Sequence, residues 1–234
     1  MNPYPPGVGI FRTPRGNAAT MHFRHNTSDW NTLTSAMAED EYGLRALVLS
    51  GHALDIGAHI GGVAVGLALD NPDLSITAVE PVPDNAHLLR ANVDANGLRD
   101  RVKVITGAAG HGLVTVWYGY RGSEIAEHHA FIGNSSLAND HGGEGDPESV
   151  TYLGLTLREL ADDMAVDLLK IDNEGGEYDF LADPAVGLCG IILGEWHNVR
   201  GHVQGDVVDL LRDTHDVTFT GPVEGPGGFR AVLR

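Results

Sequence analysis

The stretch Ala53-Leu-Asp-Ile-Gly-Ala-His-Ile-Gly-Gly62 decides the fold. Its apolar first half predicts a short buried strand that ends at Asp55, and the chain then turns at Gly57. Gly61 and Gly62 predict the first turn of a helix, whose unpaired N–H groups and positive dipole end attract a ligand. Because glycine has no side chain, a ligand can lie close to such a turn. The stretch predicts a nucleotide or cofactor loop, with an ordinary strand–helix turn as the alternative.

A second predicted strand, residues 75–79, ends in the pair Glu80-Pro81. An acidic residue at about 20 positions after a glycine turn is where the two hydroxyls of a ribose are bound. A third strand is predicted over residues 101–106, with a helix between it and the second strand. This alternation predicts parallel pairing and a ligand crevice at the carboxyl ends of the strands.

The bulk properties exclude several classes of protein. A length of 234 residues fits one domain with a large core. With 15 Lys and Arg against 32 Asp and Glu, the chain lacks the basic surface that a nucleic-acid partner requires. It also lacks a long apolar run, so we expect no membrane insertion. The single cysteine, Cys189, excludes an internal disulfide and suits a reducing compartment, so we expect a cytoplasmic protein.

Two segments are predicted to lie outside the regular α/β pattern. Residues 1–20 are rich in Pro and Gly, so we expect a flexible arm that precedes a single domain over residues 21–234. The arm alternatively packs on a partner subunit of a homo-oligomer. Residues 123–150 are irregular and Gly-rich, and we expect a lid-like insertion there, with Ser135 on the substrate side.

Other polar residues have two interpretations each. His128, His129 and His141 are potential metal ligands in the insertion, but their Gly-rich setting favours solvated side chains. Thr27 and Asp29 precede a helical pattern and are good N-cap residues, with a role in a lid over the active site as the alternative.

A cluster of carboxylates follows the fourth predicted core strand, residues 166–171. Asp172, Glu174 and Glu177 stand where that strand becomes a loop, at the same edge of the sheet as the glycine turn. Burying such charges is costly without a cation, a metal or a substrate hydroxyl as a partner. Helix capping is the alternative to a functional role. For Glu177 the two interpretations are equally good, whereas for Asp172 we favour the functional role.

The fifth predicted strand, residues 190–193, leads to a second acidic group. Alternation places Glu195 and His197 on one face of the strand and Trp196 on the other. A histidine beside a carboxylate is a suitable general base at neutral pH, and a histidine bonded to a backbone carbonyl is the structural alternative. The two closing strands predict an antiparallel hairpin at the sheet edge, which leaves no room for the second half of a dinucleotide dehydrogenase.

The chain resembles the FkbM family of S-adenosylmethionine-dependent methyltransferases between residues 27 and 197. The motifs that carry the resemblance are Leu54-Asp-Ile-Gly-Ala-His-Ile-Gly61, Val79-Glu-Pro81, Leu155-Thr-Leu157, Asp167-Leu-Leu-Lys-Ile-Asp172-x-Glu174-Gly175 and Gly194-Glu-Trp-His197. Asn173 departs from the pattern, because the family usually has a small apolar residue there. Gly176 also departs, at a position where the family has Ala or His.

The resemblance implies an α/β, class I methyltransferase fold, which is a Rossmann-like, doubly wound, seven-stranded sheet, mostly parallel with an antiparallel last strand. It implies S-adenosylmethionine as the cofactor. The residues that it implies for the cofactor site are Asp55, Gly57 and Gly61 at the methionine side, Glu80 and Pro81 at the ribose, and Gly107 and Ala108 near the adenine. A carboxylate at Asp55 suits a cationic cofactor, and the loop lacks the Gly-x-Gly that pyrophosphate binding prefers.

The hypothesis for the reaction is O-methylation of a hydroxyl on a small molecule, a sugar or a secondary metabolite. The hydroxyl lies beside Asp172, and His197 or Glu195 takes its proton. In a variant, Asp172, Glu174 and Glu195 hold a divalent cation such as Mg²⁺ that lowers the pKa of the hydroxyl. An NAD(P)-dependent oxidoreductase and a non-catalytic cofactor-binding protein are the alternatives.

Overall fold

The computed structural model describes residues 5–118, 131–132, 148–198, 201–220 and 227–234. The strands in these ranges are β1 Pro6–Arg12, β2 Ala18–Arg24, β3 Gly51–Ile56, β4 Leu74–Glu80, β5 Val102–Thr106, β6 Leu113–Tyr118, β7 Phe131–Ile132, β8 Glu148–Leu153, β9 Val166–Ile171, β10 Cys189–Trp196, β11 His215–Thr220 and β12 Gly227–Leu233. The α-helices are α1 Asp29–Leu33, α2 Gly62–Asp70, α3 Pro83–Ala95, α4 Leu157–Ala161, α5 Glu177–Leu181 and α6 Gln204–Leu211. A π-helix, Thr34–Glu39, continues α1, and Leu44–Ala46 and Pro184–Leu188 are 3-10 helices.

The main sheet has seven strands in the order β5-β4-β3-β9-β10-β12-β11. The pairs from β5 to β10 are parallel, whereas β12 is antiparallel to both of its neighbours. The last strand of the chain is therefore inserted antiparallel into an otherwise parallel sheet, which confirms the predicted class I methyltransferase fold. The carboxyl ends of β3, β4, β9 and β10 meet at one edge, as the crossover rule for βαβ units requires.

Two apolar cores cover the two faces of this sheet, because its central strands are buried on both sides. One core contains side chains of α2 and α3, such as Leu67 and Leu89, together with residues from the N-terminal segment. The other contains side chains of α4, α5 and α6, such as Leu160, Phe180 and Leu211. The fold is therefore doubly wound, as predicted.

The N-terminal segment differs from the flexible arm expected over residues 1–20. Strands β1 and β2 pair as an antiparallel hairpin, and β2 packs its buried side chains, Ala19, Met21 and Phe23, on the first core. Asn92 and Asn96 of the α3 region exchange hydrogen bonds with the backbone of β2 at distances of 2.6–3.1 Å. The glycines that suggested a loose arm give room to aromatic rings, since a Cβ at residue 7 would lie 2.7 Å from the ring of Phe23.

Strand β6 precedes the insertion expected over residues 123–150. It pairs with β7 and β8 in a separate three-stranded sheet. The rest of the lid-like insertion, including Ser135 and the histidines His128, His129 and His141, lies outside the described residues. Among the helices of the described ranges, none has the length and apolar character needed to cross a bilayer.

Candidate active site

A cleft of about 380 Å³ opens at the carboxyl edge of the main sheet, where the sequence predicts the site. The predicted residues that line it are Gly57, Glu80, Pro81, Gly107, Ala108, Asp172, Glu174 and Glu195. The predicted residues that the structure places away from its walls are Asp55, Gly61, Thr27, Asp29 and His197. The glycine turn and Glu80 therefore share one cleft with the carboxylates that follow β9 and end β10.

The two glycines of the loop after β3 are required by packing within the protein. Gly57 has a φ of 73°, and a Cβ there would collide with the backbone carbonyl oxygen of Asp172. Gly61 has a φ of 95°, and a Cβ there would collide with the side chain of Leu89. Both positive φ values also favour glycine. Of the two predicted loop glycines, Gly57 lines the cleft together with Ala58, whereas Gly61 serves the start of α2.

Asp55 faces the protein interior. The register of the parallel strands β3 and β9 places it beside Lys170, and both side chains are buried. Lys170 Nζ lies 3.6 Å from Asp55 Oδ1 and 3.8 Å from Asp172 Oδ2, and it donates a hydrogen bond of 3.0 Å to the Gly57 carbonyl. Burial raises the pKa of Asp55, and the charge of Lys170 opposes that rise. Asp55 is therefore paired with Lys170 and is absent from the lining of the cleft, and its role beside a cationic cofactor stays a prediction.

Glu80 lies at the end of β4 and is nearly fully buried. Its Oε2 accepts the backbone N–H of His59 at 2.8 Å, and its Oε1 accepts the N–H of Val82 at 3.0 Å and the side-chain amide of Asn85 at 3.3 Å. Burial raises the pKa of Glu80 to about 7, against the lowering effect of these three donors. A carboxylate oxygen can accept two hydrogen bonds, so Oε2 has capacity for a ligand hydroxyl.

Asp29 and His59 belong to a buried hydrogen-bond and charge network behind Glu80. The Asp29 carboxylate accepts hydrogen bonds of 2.8 Å from the backbone N–H, Nε and Nη2 of Arg24. Arg24 Nη2 also donates to Asn85 Oδ1 at 2.6 Å, and His59 Nε2 lies 3.6 Å from Asp29 Oδ1. Burial would raise the pKa of Asp29, but Arg24 and His59 outweigh it and lower the pKa. Asp29 thus connects the N-terminal hairpin to two of the three residues that donate to Glu80, to His59 directly and to Asn85 through Arg24.

The lid alternative for this segment applies to neighbouring residues. Thr27 Oγ1 accepts the backbone N–H of Asp29 at 3.1 Å, which is a local turn bond behind the cleft. Ser28, Asn31 and Ser35 line the cleft from the start of α1 and from the π-helix that continues it. The segment therefore lines the cleft, although with other residues than the two that the sequence indicated, and its role as a lid stays a prediction.

Glu41 and Tyr42, which sequence reasoning missed, complete the acidic side of the cleft. The Tyr42 hydroxyl donates to Asp172 Oδ2 at 3.1 Å, and both residues line the cleft with Glu195. Burial and the charge of Glu195 raise the pKa of Glu41 to about 7. Burial and the charge of Asp172 likewise raise the pKa of Glu195. No local pattern marks Glu41 or Tyr42, because they reach the site from a loop far away in the chain.

His197 has a different setting from that of a free general base. Its Nδ1 lies 2.9 Å from Glu177 Oε1, and its Nε2 lies 3.4 Å from Glu174 Oε2. Burial would lower the pKa of His197, but the hydrogen bond and charge of Glu177 and the charges of Glu174 and Asp172 raise it to about 9. Both ring nitrogens thus face carboxylates, and at neutral pH the imidazole holds a proton already. These carboxylates approach because the turn before α5 folds back, with a φ of 56° at Glu174 and 103° at Gly175.

Asn173 and Lys170 are two further residues of the cleft wall. Lys170 is signalled in the sequence by its position inside an apolar strand, where a lysine needs a buried partner. Asn173 is only 6% exposed, and neither polar atom of its side chain has a hydrogen-bond partner among the described residues.

The chain is similar to several known methyltransferases. The chain is 40% identical over 58 residues to O-methyltransferase imqG of Aspergillus flavus, and the match spans 25% of this chain and 24% of that protein. Precorrin-6y C5,15-methyltransferase from Geobacter metallireducens GS-15 aligns with a TM-score of 0.49 and 14% identity, over 84% of this chain and 87% of that one. The O-methyltransferase from Bacillus cereus in complex with SAH aligns with a TM-score of 0.42 and 18% identity, over 78% and 74% of the two chains. The description "Methyltransferase FkbM domain" matches residues 55–218, which is more than half of the chain, and the protein therefore belongs to the FkbM family of methyltransferases.

Proposed function

We propose that this FkbM-family protein transfers the methyl group of S-adenosylmethionine to a hydroxyl group of a small-molecule acceptor. One observation carries the proposal: the glycine turn and Glu80 line the same cleft as the carboxylates Asp172 and Glu195. The first group suits an adenosine cofactor, and the second suits an acceptor that must lose a proton. The name of the short Aspergillus flavus match supports an oxygen acceptor.

The residues at the ends of β3, β4 and β5 support the choice of cofactor. Glu80 Oε2 would accept a ribose hydroxyl, and Gly107 and Ala108 would lie beside the adenine. Gly57 and Ala58 would lie beside the methionine part. The sulfonium methyl group would then be near Asp172, which packs against Gly57.

In the reaction, the acceptor oxygen attacks the methyl carbon, the carbon–sulfur bond breaks, and S-adenosylhomocysteine leaves. Most of the acceleration comes from holding the oxygen in line at about 3 Å from the methyl carbon. The hydroxyl lies beside Asp172, whose position is held by the Tyr42 hydroxyl. Glu195 takes the proton, since its raised pKa makes it a stronger base than an ordinary carboxylate. His197 is the weaker choice, because it holds a proton and lies off the cleft wall.

Binding of the cofactor is tested first. Thermal unfolding is measured with S-adenosylhomocysteine, with NAD(P) and without ligand. We expect S-adenosylhomocysteine to raise the melting temperature and NAD(P) to leave it unchanged, because a ligand stabilises only the state that binds it. Glu80→Ala removes the shift. Stabilisation by NAD(P) alone would instead support an oxidoreductase.

Turnover is tested with a panel of hydroxylated small molecules, by mass spectrometry for the gain of one methyl and by release of S-adenosylhomocysteine. Glu195→Gln is expected to lower kcat by about 10²–10⁴-fold, the usual contribution of a general base, without changing the affinity for S-adenosylhomocysteine. Asp100→Asn, on an exposed residue away from the cleft, is the control. A Glu195→Gln enzyme with unchanged turnover contradicts the assigned base, and cofactor binding with no turnover of any acceptor supports a non-catalytic protein.

A further inference from the structure

We propose that Asp172, Glu177 and His197 form a binding site for a first-row divalent cation such as Mn²⁺. Each of the three side chains offers one ligand atom, and these atoms all lie within 4.8 Å of one another. Asp172 and Glu177 belong to the stretch that leads from β9 into α5, and His197 follows β10, so the fold brings together two segments that are distant in sequence. The role of the cation in catalysis rests on the proposed methyl transfer, whereas the site itself does not.

The strongest evidence is a buried carboxylate that is only half used. The Glu177 side chain is fully buried, and its Oε1 accepts the Gly175 N–H at 3.1 Å and faces His197 Nδ1 at 2.9 Å. Its Oε2 is buried without a hydrogen-bond partner among the described residues. Asp172 Oδ1 is likewise buried without a hydrogen-bond partner among the described residues. A buried carboxylate oxygen without a partner is costly, so two such oxygens in one cluster favour the binding of a cation that both residues can share.

The local charge agrees with a cationic ligand. The carboxylates on this side of the protein are Glu41, Asp172, Glu174, Glu177 and Glu195. Among the described residues, the cationic groups near these carboxylates are Lys170, which lies 3.6 Å from Asp55 and 3.8 Å from Asp172, and His197. A divalent ion would reduce the excess of negative charge among these residues, and it would replace the proton between the imidazole and the Glu177 carboxylate.

The donor set selects the class of metal. Two carboxylate oxygens with one imidazole nitrogen suit Mn²⁺ and its first-row neighbours, whereas Mg²⁺ prefers oxygen donors alone. The set differs from the Mg²⁺ ligands expected from sequence, Asp172, Glu174 and Glu195. Glu174 and Glu195 line the cleft, but the ligand atoms that converge with Asp172 belong to Glu177 and His197.

Three protein ligands leave coordination positions for other groups. Because Asp172 lines the cleft, a cation held there would lie beside the place proposed for the acceptor hydroxyl. It would lower the pKa of a hydroxyl that binds to it, and Glu195 would take the proton more readily. The cation would thus act on the acceptor and not on the cofactor.

The site is tested by binding, with a readout independent of turnover. The full chain is treated with EDTA, dialysed and titrated with Mn²⁺ at neutral pH, while electron paramagnetic resonance measures the free ion. We expect one Mn²⁺ per chain. Glu177→Gln, which keeps the shape of the side chain, is expected to weaken binding at least about 10-fold. Asp179→Asn, an exposed position of the same helix, is the matched control and is expected to bind normally.

His197→Gln is a second ligand variant in case Glu177→Gln does not fold. The absence of stoichiometric binding by the wild-type chain overturns the proposal, and so does normal binding by both ligand variants. Binding that is lost in these variants supports the site even if no acceptor is ever methylated. Full turnover of the EDTA-treated enzyme, with binding intact, overturns only the role of the cation on the acceptor.

Discussion

Lys170 offers the sharpest test of how the site is held together. Its ammonium group is buried against the Asp55 carboxylate at 3.6 Å and donates to the Gly57 carbonyl at 3.0 Å. Lys170→Met keeps most of the volume and removes the charge, which leaves Asp55 as a buried carboxylate without its cation. Breaking one side of such a pair typically costs about 3–5 kcal/mol. We expect a loss of that size in the free energy of unfolding at pH 7.5.

The loss should depend on pH in a defined direction. Burial raises the pKa of Asp55 above 3.8 in the folded protein, and without Lys170 nothing of comparable strength opposes that rise. The folded variant therefore holds a proton that the unfolded chain releases near pH 4, so its stability relative to wild type falls as pH rises above that value. The deficit of Lys170→Met should be smaller near pH 4 than at pH 7.5.

Urea unfolding followed by circular dichroism measures these differences. Asp55→Asn and the double variant complete a double-mutant cycle, in which we expect the double variant to lose less than the sum of the two single losses, by about 0.5–3 kcal/mol. Lys103→Met, on an exposed lysine of β5, is the matched control and should change stability by less than about 0.5 kcal/mol. A Lys170→Met loss below about 1 kcal/mol, or strictly additive losses in the cycle, would refute the reasoning.

Three further predictions concern the cleft. Burial raises the pKa of Glu80 from 4.5 to about 7, so the folded state holds that proton more tightly and the unfolding free energy falls between these pH values. Glu80→Gln should remove up to about 3 kcal/mol of this fall, measured by urea unfolding at pH 4.5 and 7.5; an unchanged pH dependence contradicts it. Asp29→Asn should weaken S-adenosylhomocysteine binding about 10-fold by calorimetry, equivalent to about 1.4 kcal/mol, because it releases the groups that hold Glu80; wild-type affinity contradicts it. Asn173→Leu should raise the KM for the acceptor about 10-fold at unchanged cofactor affinity, without loss of stability, since it removes an amide that lacks a partner among the described residues; a lower stability with an unchanged KM contradicts it.

Much of the fold follows from local patterns. The bounds predicted for the fourth core strand, residues 166–171, are those of β9, and the strand and helix alternation predicts the parallel part of the sheet. These features depend on the spacing of apolar residues along a few turns or strand positions, which neighbouring residues determine. The parallel order then follows from the handedness of βαβ connections.

The sequence predicts where the cleft lies and several of the residues that line it, but not all of their neighbours. Glu80, Asp172 and Glu195 line the cleft because strand ends meet at one edge of a parallel sheet. Glu41 and Asn85 complete it from other elements, and no local pattern identifies them as partners. The glycine content of the N-terminus suggested a flexible arm for a similar reason. A glycine is needed there because a side chain would collide with an aromatic ring of β2, and the sequence alone does not show that contact.

The sequence by itself determined the α/β class, the glycine turn after β3, the acid at the end of β4 and the resemblance to the FkbM family. The tertiary structure decided which charge faces which. The register of β3 against β9 turns Asp55 to Lys170, and the return of α5 onto the end of β10 joins His197 to Glu177. The physical reason is the separation along the sequence at which each effect acts. Hydrophobic periodicity depends on residues that are close in the chain, whereas the partner of a buried charge depends on contacts between segments that are distant in sequence.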